Sequence, residues 1–296
     1  MKVSAVLICK NEEAVLARCL ESVKEADEII VCDTGSTDRT VEIARQYTDK
    51  VFTDFVWCDD FAKARNHALS KATGDWILSI DADEYLTCPF SAVREACAQG
   101  FMAVNVKMTA EYGPTSSFSF PRLFLRSPNV WWEGAIHNHI SVMGEDVGAV
   151  TITFGYSPAH QQDPLRSLRI LEKTVQDNPD CVRERFYLGR EYFYRGMHDK
   201  ALVMLGRYVQ QSRFLAEKAE AFLTMARAYW ELRMPDDARD ALAQCLLINP
   251  RFREAVLFMA TLAGDGSPNP RWQKNADQWK RMAETADNED VLFLRT

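Results

Sequence analysis

The first 85 residues alternate short apolar runs with amphipathic stretches, and that rhythm leaves few folds open. Val3–Cys9, Glu28–Cys32, Val51–Phe55 and Trp76–Ile80 are apolar or β-branched runs of strand length. A strand that is apolar throughout is covered on both faces, which is the habit of a parallel sheet. Between the runs lie Glu12–Val23, Arg39–Gln46 and Asp60–Ala72; in the first, Ala14, Leu16, Cys19, Leu20 and Val23 recur at helical spacing. Ser36 or Thr37 is the expected cap of the second helix, and Gly74 the expected stop of the third. The alternation implies an α/β, doubly wound, mostly parallel sheet.

Residues 86–160 break this rhythm. Ala103–Met108, Phe118–Leu125 and Val147–Phe154 are β-rich runs separated by Gly, Pro and Ser, and they predict an antiparallel extension of the sheet. From Asp163 the pattern is helical. Leu188-Gly189, Tyr192 and Ala201 recur as Met225-Ala226, Tyr229 and Ala238, with Tyr192 to Tyr229 and Ala201 to Ala238 both stepping by 37 residues. Pro250 lies where a second helix would close, and Leu165–Asn178 reads as an earlier, degenerate unit. Residues 165–264 thus resemble tetratricopeptide repeats. The expected division is 1–162, an α/β domain, and 163–296, an all-α helical-repeat domain.

Net charge is −7, unevenly spread. Residues 164–213 hold ten Lys/Arg against six Asp/Glu, whereas residues 1–163 hold 14 against 23. The basic segment is either a solvated helix face or an acceptor surface, a nucleic acid included. The eight cysteines form no CxxC pair, which speaks against a zinc site or a disulfide scaffold and for a reducing, cytoplasmic setting. No apolar run approaches the roughly 20 residues that span a bilayer. The N-terminal run is followed at once by Lys10-Asn11-Glu12-Glu13, so it reads as a strand and not as a leader peptide.

Chemistry concentrates where strands end. Ile80-Asp81-Ala82-Asp83-Glu84 puts two carboxylates at the C-terminal tip of a strand, the edge at which open α/β sheets bind ligands. Paired carboxylates suit a hard divalent cation (Mn2+ or Mg2+) that bridges a diphosphate. Asp33 follows the second strand, and Asn11 and Glu12 follow the first.

The segments Ala5–Glu13, Glu28–Thr40, Ala64–Ala68 and Gly74–Glu84 resemble family 2 glycosyltransferases. The resemblance implies a GT-A fold, a nucleotide-diphosphate sugar donor, most often a UDP-sugar, and inversion at the sugar carbon. It also implies roles: Glu12 and Asp33 at the nucleoside, Arg65 at the diphosphate or sugar, Asp81 at ribose or metal, and Asp83 on the metal. Lys10, Asn11 and Ser36 are carried along as donor-site residues, and Arg166 as a diphosphate contact. Arg65 has an alternative as a surface ion pair with Asp59 or Asp60.

Arg122-Leu123-Phe124, Trp131–His137 and Gly155-Tyr156 resemble a subgroup of these enzymes with tetratricopeptide tails. That subgroup commonly has Glu after the His and His two residues before Gly-Tyr; Asn138 and Thr153 stand there instead. His160 is the candidate replacement imidazole for the metal. For the base that an inverting transfer requires, Glu133 comes first and His137 second. Trp131 and Trp132 would shield Glu133 and raise its pKa, or stack on a sugar. The alternative for Glu133 is a loop carboxylate paired with Arg122 or Arg126.

The leading expectation is an inverting, metal-dependent glycosyltransferase acting on a protein, peptide or glycan, with the tail binding the acceptor or a second copy of the chain. The alternatives are transfer to a modified nucleic-acid base and a non-catalytic nucleotide-binding scaffold. A nucleotidyltransferase is disfavoured because the first loop lacks glycine.

Overall fold

Strands β1 (Val3–Cys9) and β2 (Glu28–Asp33) are buried almost end to end, because helices cover both sides of their sheet. The computed structural model describes residues 1–111, 117–264 and 276–285. The chain divides into Met1–Arg166 and Ser167–Thr296. Near the end of the first unit, Asn11 Nδ2 donates to Gln162 Oε1 at 2.9 Å, and the Arg166 guanidinium lies over the Phe61 ring.

The other strands of the first unit are β3 (Val51–Phe52), β4 (Trp76–Ser79), β5 (Glu84–Leu86), β6 (Ala103–Ala110), β7 (Ser117–Leu125), β8 (Trp132–Glu133), β9 (His139–Ile140) and β10 (Glu145–Phe154). Eight of them form one sheet in the order β3-β2-β1-β4-β7-β6-β10-β5, and β8 and β9 form a separate hairpin. The first four strands of that order are parallel, and the winding reverses between β1 and β4. Such a switch opens a crevice at the C-terminal strand ends.

The extension differs from expectation. β7 runs antiparallel to β4 and β6, but β10 runs parallel to β6 and antiparallel to β5. The chain leaves the sheet through β8 and β9 before β10 begins, so no tight hairpin forces β10 to reverse against β6.

Helices α1 (Leu16–Ser22), α2 (Thr40–Ala44) and α4 (Phe90–Cys97) cover one face, where Leu16, Leu20, Ala44 and Val93 meet Val3, Leu7, Val31 and Leu78. Helix α3 (Phe61–Lys71) and the β8–β9 hairpin cover the other, where Ala62, Ala68, Trp132 and Ile140 meet Val6, Ile30, Ile77 and Phe124. The change of face between Val6 and Leu7 is the two-residue period of a strand.

Two local expectations are corrected. Asp38, not Ser36 or Thr37, accepts the Thr40 N–H at the start of α2. Gly74 does not stop α3, which already ends at Lys71. Its N–H donates to Ser4 Oγ at 3.0 Å, and a Cβ there would stand 2.5 Å from that oxygen, so Gly74 is a close approach of backbone to β1.

The second unit is helical. The chain enters it in α5 (Arg166–Asp177) and continues through α6 (Arg183–Tyr194), α7 (His198–Gln211), α8 (Leu215–Glu231), α9 (Pro235–Ile248), α10 (Arg253–Gly264) and α11 (Ala276–Thr285). The pair α6/α7 repeats as α8/α9. At Gly189 a Cβ would meet the Leu205 side chain at 2.6 Å, so α6 and α7 touch closely, as the small-residue pattern predicts. Tyr192 is buried and donates to Glu172 at 2.8 Å. Ala219, Ala226, Ala238, Leu242 and Met259 knit α8, α9 and α10 into one core. Among the described residues, no helix is long and apolar enough to cross a membrane.

Candidate active site

Parallel register fixes the rim. Cys9 stands opposite Asp33, so β1 and β2 end together, while β4 ends at Ser79 opposite Val6 and the chain continues along the same edge to Asp81. At this rim the first two loops are latched. Asn11, in a left-handed conformation at φ 57°, donates its N–H to Ser36 Oγ at 2.9 Å and accepts from the Thr37 N–H at 2.8 Å. The buried Asp33 carboxylate accepts the Gly35 and Ser36 N–H groups, each at 3.0 Å, and the Ser36 hydroxyl. Asn11 and Ser36 therefore hold the rim in shape, and Asp33 both shapes it and lines it. Lys10 is exposed beside them.

The third strand end carries a buried charge cluster. Asp81 receives Arg65 Nη2 on one oxygen at 2.6 Å and Arg122 Nη2 on the other at 3.0 Å. Arg65 thus pairs with Asp81 and not with Asp59 or Asp60. The same Arg122 nitrogen also reaches Glu84 Oε1 at 3.0 Å. Burial would raise the Asp81 carboxyl, but Arg122 and Arg65 hold it well below the usual carboxylate range. Glu84 is raised by burial and by the Asp81 charge, against the pull of Arg122. Trp132 covers the Arg65 guanidinium, 4.9 Å from ring centre to carbon. Arg65 Nε and both Arg122 Nε and Nη1 are buried with no partner among the described residues.

A second carboxylate cluster adjoins it. Glu12 is buried, accepts the Ser157 hydroxyl, and is pushed up to about 7 by burial and by the Asp83 charge, with Ser157 and Arg166 opposing. The Asp83 carbonyl accepts the Gly155 N–H at 3.0 Å, which fastens the end of β10 to the acidic loop. Arg166, like Arg65 and Arg122, keeps a buried Nε without a partner among the described residues. His160 sits in the 3-10 turn Pro158–Gln161, and its side chain lies outside the described residues.

No group of three or more His, Cys, Asp or Glu among the described residues is arranged as a metal cage. Both Asp81 oxygens are engaged by arginines, Arg65 on one and Arg122 on the other. A hard oxygen donor of this kind suits a Mg2+ or Mn2+ ion whose remaining ligands come from a diphosphate and water.

The base candidates lie on the hairpin. Glu133 is exposed, accepts Trp131 Nε1–H at 2.9 Å, and stands 3.5 Å from His139 Nε2. Arg122 and Arg126 do not pair with it; Arg126 donates to the Gly74 carbonyl. The expected shielding is absent because Trp132 points inward while Trp131 and Glu133 point out, as strand alternation requires. His137 is exposed, at φ 50° in the hairpin turn.

Sequence reading missed three members of this site. Arg122 and Glu84 complete the Asp81 cluster, and Ser157 joins Glu12. Glu84 had a signal in its place beside Asp83. Arg122 had none as an ion-pair partner, because its position follows from the antiparallel register of Leu123 on Leu78.

Residues 4–89 match the model of the family described as Glycosyl transferase family 2. A TPR repeat-containing protein of Synechococcus elongatus is 41% identical over 46% of this chain and 34% of its own length. The glycosyltransferase SunS of Bacillus subtilis, derived from the SPbeta prophage, is 26% identical over 69% of this chain and 52% of its own length. The chain therefore spans only about a third to a half of the length of these curated relatives. Among solved structures, residues 1–349 of S. aureus TarS align with a TM-score of 0.50 at 16% identity, covering 81% of this chain and 90% of that one, a likeness of fold. The N-terminal unit has the GT-A fold of the family 2 glycosyltransferases, and a tetratricopeptide-like helical unit follows it.

Proposed function

We propose that the chain is an inverting glycosyltransferase that takes its sugar from a nucleotide-diphosphate donor, a UDP-sugar, and passes it to a glycan, protein or peptide. One observation carries the reading. At the rim of a sheet with a family 2 match, three arginines (Arg65, Arg122 and Arg166) keep buried N–H groups that find no partner among the described residues, beside the acidic loop 81–84. Buried donors beside an acidic, ligand-facing strand end suit an anion, and a diphosphate is one such anion.

Asp33 and Glu12 would meet the nucleoside, Asp81 the ribose, and Arg65 and Arg166 the diphosphate. Asp81 is preorganised for this, because two guanidiniums fix its plane before substrate arrives. Asp83, with Asp81 and His160 as the further candidates, would hold a Mg2+ or Mn2+ ion, which when bound neutralises charge on the departing diphosphate. Glu133, with His137 second, would take the proton of the acceptor hydroxyl.

Within the second unit, Phe193, Arg227, Trp230, Glu254, Leu257 and Phe258 line an open groove of about 410 Å3. It suits a tail that binds the acceptor polypeptide. The nucleic-acid alternative gains little from the basic segment, where Arg183 pairs with Glu217, Arg195 with Glu191 and Lys173 with Asp177.

The test is release of nucleoside diphosphate from a panel of nucleotide sugars, with and without Mn2+, followed by intact-mass screening of acceptors. Release that depends on metal and on Asp83 is the expected result. Binding without turnover of any donor would favour the scaffold alternative.

A further inference from the structure

The outer face of the β8–β9 hairpin carries a constellation that the donor site does not use. Trp131 directly precedes β8 and lies two residues before Glu133, and His139 is the cross-strand partner of Glu133. All three therefore project from the same face. The opposite face, formed by Trp132 and Ile140, is buried in the sheet core.

Trp131 is 45% exposed, yet it is not a loose side chain. Its Nε1–H is held by Glu133 Oε1 at 2.9 Å, its backbone N–H by Ser141 Oγ at 3.1 Å, and its carbonyl by the Ser141 N–H at 2.9 Å. One indole edge is anchored and the ring remains accessible. Glu133 Oε2 and the His139 imidazole stand at the rim, 3.5 Å apart.

We infer that this face is a subsite for a neutral pyranose, the terminal sugar of the acceptor. The inference rests on the glycosyltransferase reading for the word acceptor, but not for the binding. A pyranose has an apolar C–H face to lie on an indole and hydroxyls at its edge. Those hydroxyls donate to a carboxylate and exchange hydrogen bonds with an imidazole.

Other occupants fit less well. Both backbone groups of Trp132 are already taken by the Asn66 side-chain amide, at 2.8 and 2.9 Å, so a peptide strand finds that edge closed. The Glu133 charge disfavours the phosphates of a nucleic acid. The same Asn66 clasp, with the Phe61 N–H donating to the Ala135 carbonyl at 2.8 Å, seats the hairpin on α3 beside Arg65.

The test uses the full chain and saturation-transfer NMR with maltotriose, cellotriose and chitotriose, each up to about 10 mM, the range of weak sugar sites. Transfer to the C–H protons of one sugar face is expected for at least one of them. Trp131→Ala should weaken that binding by about tenfold or more, which corresponds to about 1.4 kcal/mol, and Trp131→Phe should keep most of it. The melting temperature of each variant reports on folding. Binding undiminished in folded Trp131→Ala overturns the inference, as does no transfer to any of the three sugars. Release of nucleoside diphosphate is scored separately on the parent chain. If sugars bind but no donor is turned over, the glycosyltransferase reading falls and the sugar subsite stands.

Discussion

Two buried charge clusters, one in each unit, look alike on paper and differ in what they leave over. In the helical unit, the fully buried Glu217 receives Arg183 on one oxygen and the Tyr208 hydroxyl on the other, and Tyr208 in turn receives Ser212. Arg183 remains 43% exposed, so water still solvates part of its charge. In the sheet unit, Arg122 is buried between Asp81 and Glu84, and two of its nitrogens have no partner among the described residues. The Glu217 carboxylate is closed and serves the scaffold. The Arg122 cluster retains donors that its own carboxylates do not use, which suits a site that receives an anion.

The largest effect is expected from Arg122→Met. It strips two buried carboxylates of a shared counter-charge and should cost about 3–5 kcal/mol in urea unfolding. A loss below about 1 kcal/mol would place Arg122 with the scaffold pairs.

Next comes Glu12→Gln, read against pH. Burial lifts the folded Glu12 carboxyl from its ordinary value near 4.5 to about 7. Between those values the folded state holds a proton that the unfolded state has lost, so this group makes stability fall as pH rises toward 7. The variant should flatten that slope and be about 2–3 kcal/mol better off than the parent at pH 8, relative to pH 4.5. Glu28 has the opposite sign. Burial alone would raise it, but Lys50, Ser4 and Thr73 bring it down to about 2. Its stabilisation is present above pH 4.5 and lost as pH falls toward 2, so Glu28→Gln should remove an acid-limb slope of about 2 kcal/mol.

Asp83→Asn should lower metal-stimulated donor turnover about 100-fold, the scale of losing one charged ligand in such a site. Chelation of the metal should bring the parent down to the same rate. The smallest effect is expected in the tail. Glu217→Gln keeps an acceptor for the buried Tyr208 hydroxyl and removes only a charge whose partner is already half in water, and should shift stability by about 1 kcal/mol or less. A loss comparable to that of Arg122→Met would erase the contrast between the two clusters.

Much of this was legible beforehand. Continuous apolar runs placed β1, β2 and β4, and the 37-residue recurrence placed the helix pairs, because each is a local matter of which residues are apolar or small. The positions of Asp33 and Asp81 at or just beyond strand ends were legible because a polar residue that closes a buried strand falls at the rim. Arg122 was not, because it reaches Asp81 through a strand pairing 41 residues away in sequence. Nor were the roles of Asn11 and Ser36. Both stand at the rim as expected, but a left-handed residue bonding across to a second loop leaves no periodic trace. The exposure of Glu133 was hidden for a related reason: adjacent tryptophans in a strand face opposite ways, so only one of them can cover a neighbour.

The recurrence of Tyr192 as Tyr229 and of Ala201 as Ala238 also has an evolutionary corollary. Insertion or excision of one whole helix pair restores the same seam between neighbours, so such a tail can lengthen or shorten in discrete steps without redesign. A change of any other length sets a bulky ring against the wrong turn of the next helix. Length variants of this tail among related genes should therefore cluster at multiples of one repeat.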